Sequence, residues 1–137
     1  MKVIVIDGQG GGIGRSVIEA LKKVMPNIFI VAVGTNALAT SNMLKGGAAV
    51  GATGENAIVF NADDADVIIG PVGISFTNAM YGEITKEMAV AVGASKAKKY
   101  LIPVSKLNLY IPGIQEMPIQ EYIRLIIDQV QKDMNNL

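Results

Sequence analysis

The chain has 137 residues, half of them apolar, with twelve basic residues balanced by twelve acidic ones. That length suits one domain with a real core, and the zero net charge leaves no footprint for nucleic acid or an anionic membrane. Cysteine and histidine are both absent, which excludes disulfides, thiolate metal sites, a cysteine nucleophile and the commonest general base.

Taken in order, Lys2 to Ile6 reads as a first strand, an apolar run that ends in Asp7. Gly8, Gly10, Gly11, Gly12 and Gly14 follow, interrupted by Gln9 and Ile13. Behind them an amphipathic helix is expected over about 13–25, with Ile13, Val17, Leu21 and Val24 as its stripe. Strand, glycine turn and helix together aim bare backbone N–H groups and a helix N-terminus at an anion. Pro26-Asn27 breaks the helix, and the apolar run 28–34 is a second strand ending in Gly34-Thr35-Asn36. Asn36 caps a short helix through about Lys45, which Gly46-Gly47 closes.

Residues 48–65 carry the weakest pattern. Thr53 reads as a cap with Glu55 in the first turn, followed by a short helix, and the pattern leaves open whether a strand comes before Asp66. Residues 66–74 form a buried strand stopped by Gly70 and Pro71, with Gly73 just beyond. Thr85 caps a helix over Lys86 to about Ala94. Residues 98–106 supply a further strand, the alternating stretch 107–111 an edge strand, and Pro112-Gly113 ends it. A last helix from about Ile119 to Met134 starts at Pro118 and carries Ile119, Ile123, Ile126 and Val130 on one stripe. The alternation implies a three-layer, Rossmann-like, doubly wound α/β domain over residues 1–137, with a mainly parallel sheet of four to five strands. No stretch is long and apolar enough to span a bilayer, and the chain begins directly in a strand, so a cytoplasmic protein is expected. Buried strands absorb part of the high apolar content; a homo-oligomer interface would absorb the rest.

Ligands of open α/β sheets sit outside the carboxyl ends of the strands. The residues expected there are Asp7, Gly8, Gln9, Gly10, Gly11, Gly12, Ile13, Gly14, Thr35, Asn36, Gly70, Pro71 and Gly73. Thr53, Asn56, Ser75, Thr77, Asn78, Ser105 and Lys106 stand on the same rim, and Arg15 and Lys106 are its cations. Asp7 reads as an acceptor for N–H groups of its own turn, with magnesium ligation or acid catalysis as the sharper alternatives. Glu55 suits a first-turn acid better than a general base. No metal site and no complete proton-transfer set is visible.

Gly8, Gly12 and Gly14 fit GxxxGxG, and so resemble the short-chain dehydrogenase fingerprint for NAD(P). That family's Tyr-x-x-x-Lys pair is missing, since no tyrosine has lysine four residues later. Residues 10–16 resemble a Walker A loop in which Arg15 replaces the lysine. The end of the second strand has no acid for a ribose 2′-OH, an arrangement that spares NADP or a mononucleotide the repulsion of an acid. Over the whole chain, the blocks 6–14, 34–48, 51–58, 65–71 and 82–85 resemble a family of small bacterial proteins known only as a domain of unknown function. That resemblance implies a Rossmann-like fold and brings no reaction, substrate or catalytic residue. The expected function is a binding or regulatory module for a small nucleotide, NAD(P) or another. The rivals are an NADP-linked oxidoreductase using Asp7, Glu55 or Lys106, and an oligomer whose glycine loop serves packing alone.

Overall fold

The computed structural model describes residues 1–104 and 108–136. Five strands, β1 (Val3–Asp7), β2 (Ile30–Gly34), β3 (Val50–Thr53), β4 (Val67–Pro71) and β5 (Lys98–Ile102), form one parallel sheet in the order β3-β2-β1-β4-β5. Between and after them run α1 (Gly12–Val24), α2 (Ala37–Lys45), α3 (Glu55–Asp63), α4 (Lys86–Ala94) and α5 (Ile119–Asn135), with a short 3-10 helix at Val72–Ser75. The chain is α/β and doubly wound, as its alternating pattern implied.

Alternate side chains of the central strands feed two cores. Val3, Val5, Ile30, Ala32 and Ile69 pack beneath α1 and α5, joined by Met43 of α2. Ile4, Ile6, Val31, Val33 and Ile68 pack beneath α3 and α4. Burial on both faces is why β1, β2 and β4 read as continuous apolar runs. The Asn36 side chain accepts from Ala39 N–H at 2.9 Å and that of Thr85 from Met88 N–H at 3.2 Å, so both capped helices start where expected.

Three expectations change. Residues 50–53 form a strand, β3, at the sheet edge, and the cap of α3 is Gly54 at φ 102° rather than Thr53, which ends the strand. Residues 108–111 form no strand; Leu109, Tyr110 and Ile111 are exposed, so their alternation matches no buried face. On α5 the buried stripe is Tyr122, Ile123, Ile127 and Val130, while Ile119 at its first turn is exposed. The part of the expected strand over Ser105 and Lys106, and Leu107 after it, lies outside the described residues. Among the described residues no helix is long and apolar enough to cross a membrane.

One polar cluster ties α5 to β5. Asp133 accepts from Lys98 Nζ and Tyr100 Oη, each at 2.5 Å, and from Gln129 Nε2 at 2.9 Å. Led by the Lys98 bond, these donors hold its carboxyl at about 2, against 3.8 when free. The ionised carboxylate therefore stabilises the fold above about pH 4, and that contribution drains away as pH falls toward 2. The expected result is a melting-temperature gap between wild type and Asp133→Asn that is widest above about pH 5 and closes toward pH 2. A gap of constant size across that range contradicts the assignment.

Candidate functional site

In this strand order the chain leaves β1 toward β2 on one side and returns to its other side as β4, so a crevice opens beyond the carboxyl ends of β1 and β4. A cavity of about 610 Å³ lies there, a size suited to a small ligand. Asp7, Gln9 and Ile13 line it from the β1–α1 turn, and Pro71 and Gly73 from the end of β4. Asn78, Ala79, Met80 and Tyr81 line it from the loop before α4, and Val104 and Ile119 from beyond β5.

The turn is built around Asp7. Its buried carboxylate accepts from Gly8 N–H at 2.8 Å and from Gly14 N–H at 2.7 Å. Burial pushes the Asp7 carboxyl above its ordinary value, the bonds from Gly14 and Gly8 pull it back, and the charge of Glu83 adds to the rise. The loop is braced from α2 as well. Asn36 Nδ2 donates to Gln9 O at 3.0 Å and Asn42 Nδ2 to Gly10 O at 2.9 Å. Asn42 Oδ1 in turn accepts from Arg15, whose guanidinium also pairs with Glu19, so this cation faces along α1 and its neighbour.

The five glycines separate into two kinds. Gly11 sits at φ 74°, and a Cβ there would stand 2.6 Å from Ala39 O. A Cβ on Gly14 would stand 2.5 Å from Met43 Sδ and 2.9 Å from Asp7 Cβ; on Gly8, 2.6 Å from Met80 Sδ. These three are demanded by the fold. Gly10 and Gly12 have no left-handed φ and nothing within 4 Å of an added Cβ. Neither torsion nor packing explains them, and a ligand approaching the backbone would. The free donors lie at the same place. Gly11 N–H bonds Gly8 O and Arg15 N–H bonds Gly11 O, whereas the N–H groups of Gly10, Gly12 and Ile13 donate to nothing among the described residues.

Glu83 falls in the block 82–85 that carries the family resemblance, but nothing in the sequence marks it as a site residue. Its Oε1 accepts from Thr35 Oγ1 at 2.6 Å, Gln9 N–H at 2.9 Å and Asn36 Nδ2 at 2.9 Å. Partial burial opposes its charge, yet the bonds from Thr35, Gln9 and Asn36 together hold its carboxyl below the ordinary value. It stands on a loop, residues 76–84, anchored by buried Ala79 and Ile84 and turned by left-handed Asn78, Met80, Tyr81 and Gly82. An acid thus stands at the end of β2 after all, supplied from 48 residues away. A length of chain that distant in sequence offers no local pattern to find it by.

The remaining expected residues scatter. Gly70 is buried where a Cβ would meet Ile6 O at 2.4 Å, so it serves the close approach of β1 and β4. Thr53 Oγ1 lies 2.7 Å from Thr40 Oγ1, Ser75 Oγ donates to Val72 O, and Glu55 and Asn56 are exposed on α3. Of the second-strand candidates, neither Thr35 nor Asn36 lines the cavity. Ser105 and Lys106 lie outside the described residues. Among the described residues no cluster of three acidic side chains is placed to hold a metal.

A family model described as a domain of unknown function, DUF3842, matches residues 2–135. No curated protein matches the chain. Among solved structures, it is similar to a chain of a dodecameric FMN-dependent UbiX-like decarboxylase from Escherichia coli O157:H7. The identity is 14% and the TM-score 0.48, with 98% of this chain and 94% of that chain covered.

Proposed function

We propose that this chain, which belongs to the DUF3842 family, is a binding or regulatory module for a small phosphate-bearing ligand of the nucleotide class. The observation that carries the reading is the coincidence of unexplained glycines and free donors. Gly10 and Gly12 leave open space where the N–H groups of Gly10, Gly12 and Ile13 have no partner among the described residues, at the start of α1. A helix of thirteen residues adds its positive end to those donors. The adjoining cavity is walled by Ile13, Met80, Val104 and Ile119, with exposed Tyr81 beside them, a lining suited to a planar ring.

The test is thermal unfolding with AMP, nicotinamide mononucleotide and flavin mononucleotide, each set against its unphosphorylated nucleoside. A ligand at about 100 times its dissociation constant stabilises by about 2.7 kcal/mol, several degrees at this size. At least one monophosphate should raise the melting temperature while its nucleoside does not. Equal shifts for nucleoside and nucleotide, or none for any compound, sink the reading.

A further inference from the structure

We infer that Glu83 fills one half of this crevice, so that the site takes a single-phosphate nucleotide in its β4 half and rejects a dinucleotide. The inference rests on the ligand reading above and narrows its class. A dinucleotide on a sheet of this order spreads to both sides of the α1 N-terminus, one nucleoside over β2 and the other over β4. Here the two sides differ. Over β4 the cavity is open. Over β2 the polar groups that would meet a ribose or a second phosphate, Gln9 N–H, Thr35 Oγ1 and Asn36 Nδ2, all converge on one oxygen of Glu83. Met80 closes the same space: a Cβ on Gly8 would stand 2.6 Å from its sulfur and 3.1 Å from Glu83 Oε1.

The occupant is anionic and its oxygen already holds three donors. A phosphate entering the β2 half would have to displace a carboxylate from three donors while standing beside its charge. A nucleoside there would have to replace those three donors with its ribose hydroxyls and leave Gln9, Thr35 and Asn36 to find other acceptors. In the β4 half no donor set has to be taken from a carboxylate: Asp7 lines the cavity with both oxygens held by Gly8 and Gly14, and the N–H groups of Gly10, Gly12 and Ile13 have no partner among the described residues. The absence of an acid within the β2 segment itself suggested tolerance of NADP; a carboxylate delivered by the loop 76–84 reverses that expectation.

Calorimetric titration of the full chain with nicotinamide mononucleotide, AMP, flavin mononucleotide, NAD and NADP tests this, in wild type, Glu83→Ala and Glu83→Gln. Wild type should bind at least one mononucleotide about tenfold or more tighter than either dinucleotide. Glu83→Ala should strengthen dinucleotide binding about tenfold and change the mononucleotide by less than about threefold. Glu83→Gln keeps an acceptor for the three donors and so guards against a merely unfolded loop; it should relieve the penalty on NADP more than that on NAD. Equal affinity of mononucleotide and dinucleotide for wild type overturns the inference and leaves the ligand reading standing. So does a mononucleotide weakened about tenfold by Glu83→Ala. No binding of any compound to any of the three proteins overturns the ligand reading and this inference together.

Discussion

Gly12→Val should abolish binding of the phosphate ligand, by about a hundredfold or more, while the protein melts within about 2 °C of wild type. Gly12 opens α1, is exposed, and has nothing within 4 Å of an added Cβ, so the fold has room for the branched side chain. Valine is also no worse than glycine for helix formation. What the side chain takes away is the space over the N–H groups of Gly12 and Ile13. An anion pushed outward there loses its short bonds to Gly12 and Ile13, and a loss of about 2.7 kcal/mol is a hundredfold in affinity. Titration of the folded variant with whichever mononucleotide binds wild type checks this. Unchanged affinity would remove the glycine turn from the site.

Its neighbour should behave in the opposite way. Gly11→Ala is expected to lower stability by about 3 kcal/mol, about 10 °C in melting temperature. Gly11 stands at φ 74°, where an L side chain costs roughly 1–2 kcal/mol. The new methyl would also lie 2.6 Å from the oxygen and 2.7 Å from the Cα of Ala39, backbone atoms of α2 that cannot swing aside. Relief requires α1 and α2 to separate, which disturbs the brace from Asn42 to Gly10. Circular dichroism melting decides the matter, and a variant within about 2 °C of wild type contradicts the packing assigned to this glycine. The two substitutions, one position apart, thus separate a glycine required by the fold from one the fold leaves free.

That separation was not legible in the sequence, although the turn itself was. Five glycines in seven positions announce a tight turn between β1 and α1, but only torsion and neighbours divide Gly8, Gly11 and Gly14 from Gly10 and Gly12. The strands of the sheet centre could be read because burial on both faces demands unbroken apolar runs, as in Val3 to Ile6 and Val31 to Val33. The edge strand β3 could not: Val50-Gly51-Ala52-Thr53 is half exposed and holds a glycine, so its residues answer to no core. The stretch after β5 misled for the converse reason, since alternation in Leu109, Tyr110 and Ile111 signals a strand only where a face is covered. Asn36 and Thr85 were found because a cap acts within three residues of itself. Glu83 was missed because its partners stand 74, 48 and 47 residues away.

The same distinction between local and distant bonds explains Asp7. A carboxylate one residue before a glycine turn usually serves that turn, and here both its oxygens do. It also lines the cavity, where burial pushes its carboxyl up and the bonds from Gly14 and Gly8 pull it back.

Amide spectra of the ¹⁵N-labelled chain, recorded while the best-binding mononucleotide is added, observe the proposed contacts themselves. The N–H signals of Gly10, Gly12 and Ile13 should move together and furthest downfield, as free donors acquire an anionic acceptor. Those of Gly8 and Gly14, already bonded to Asp7, should move less. Saturation by a ligand that leaves the signals of Gly10, Gly12 and Ile13 in place would contradict a phosphate at the start of α1.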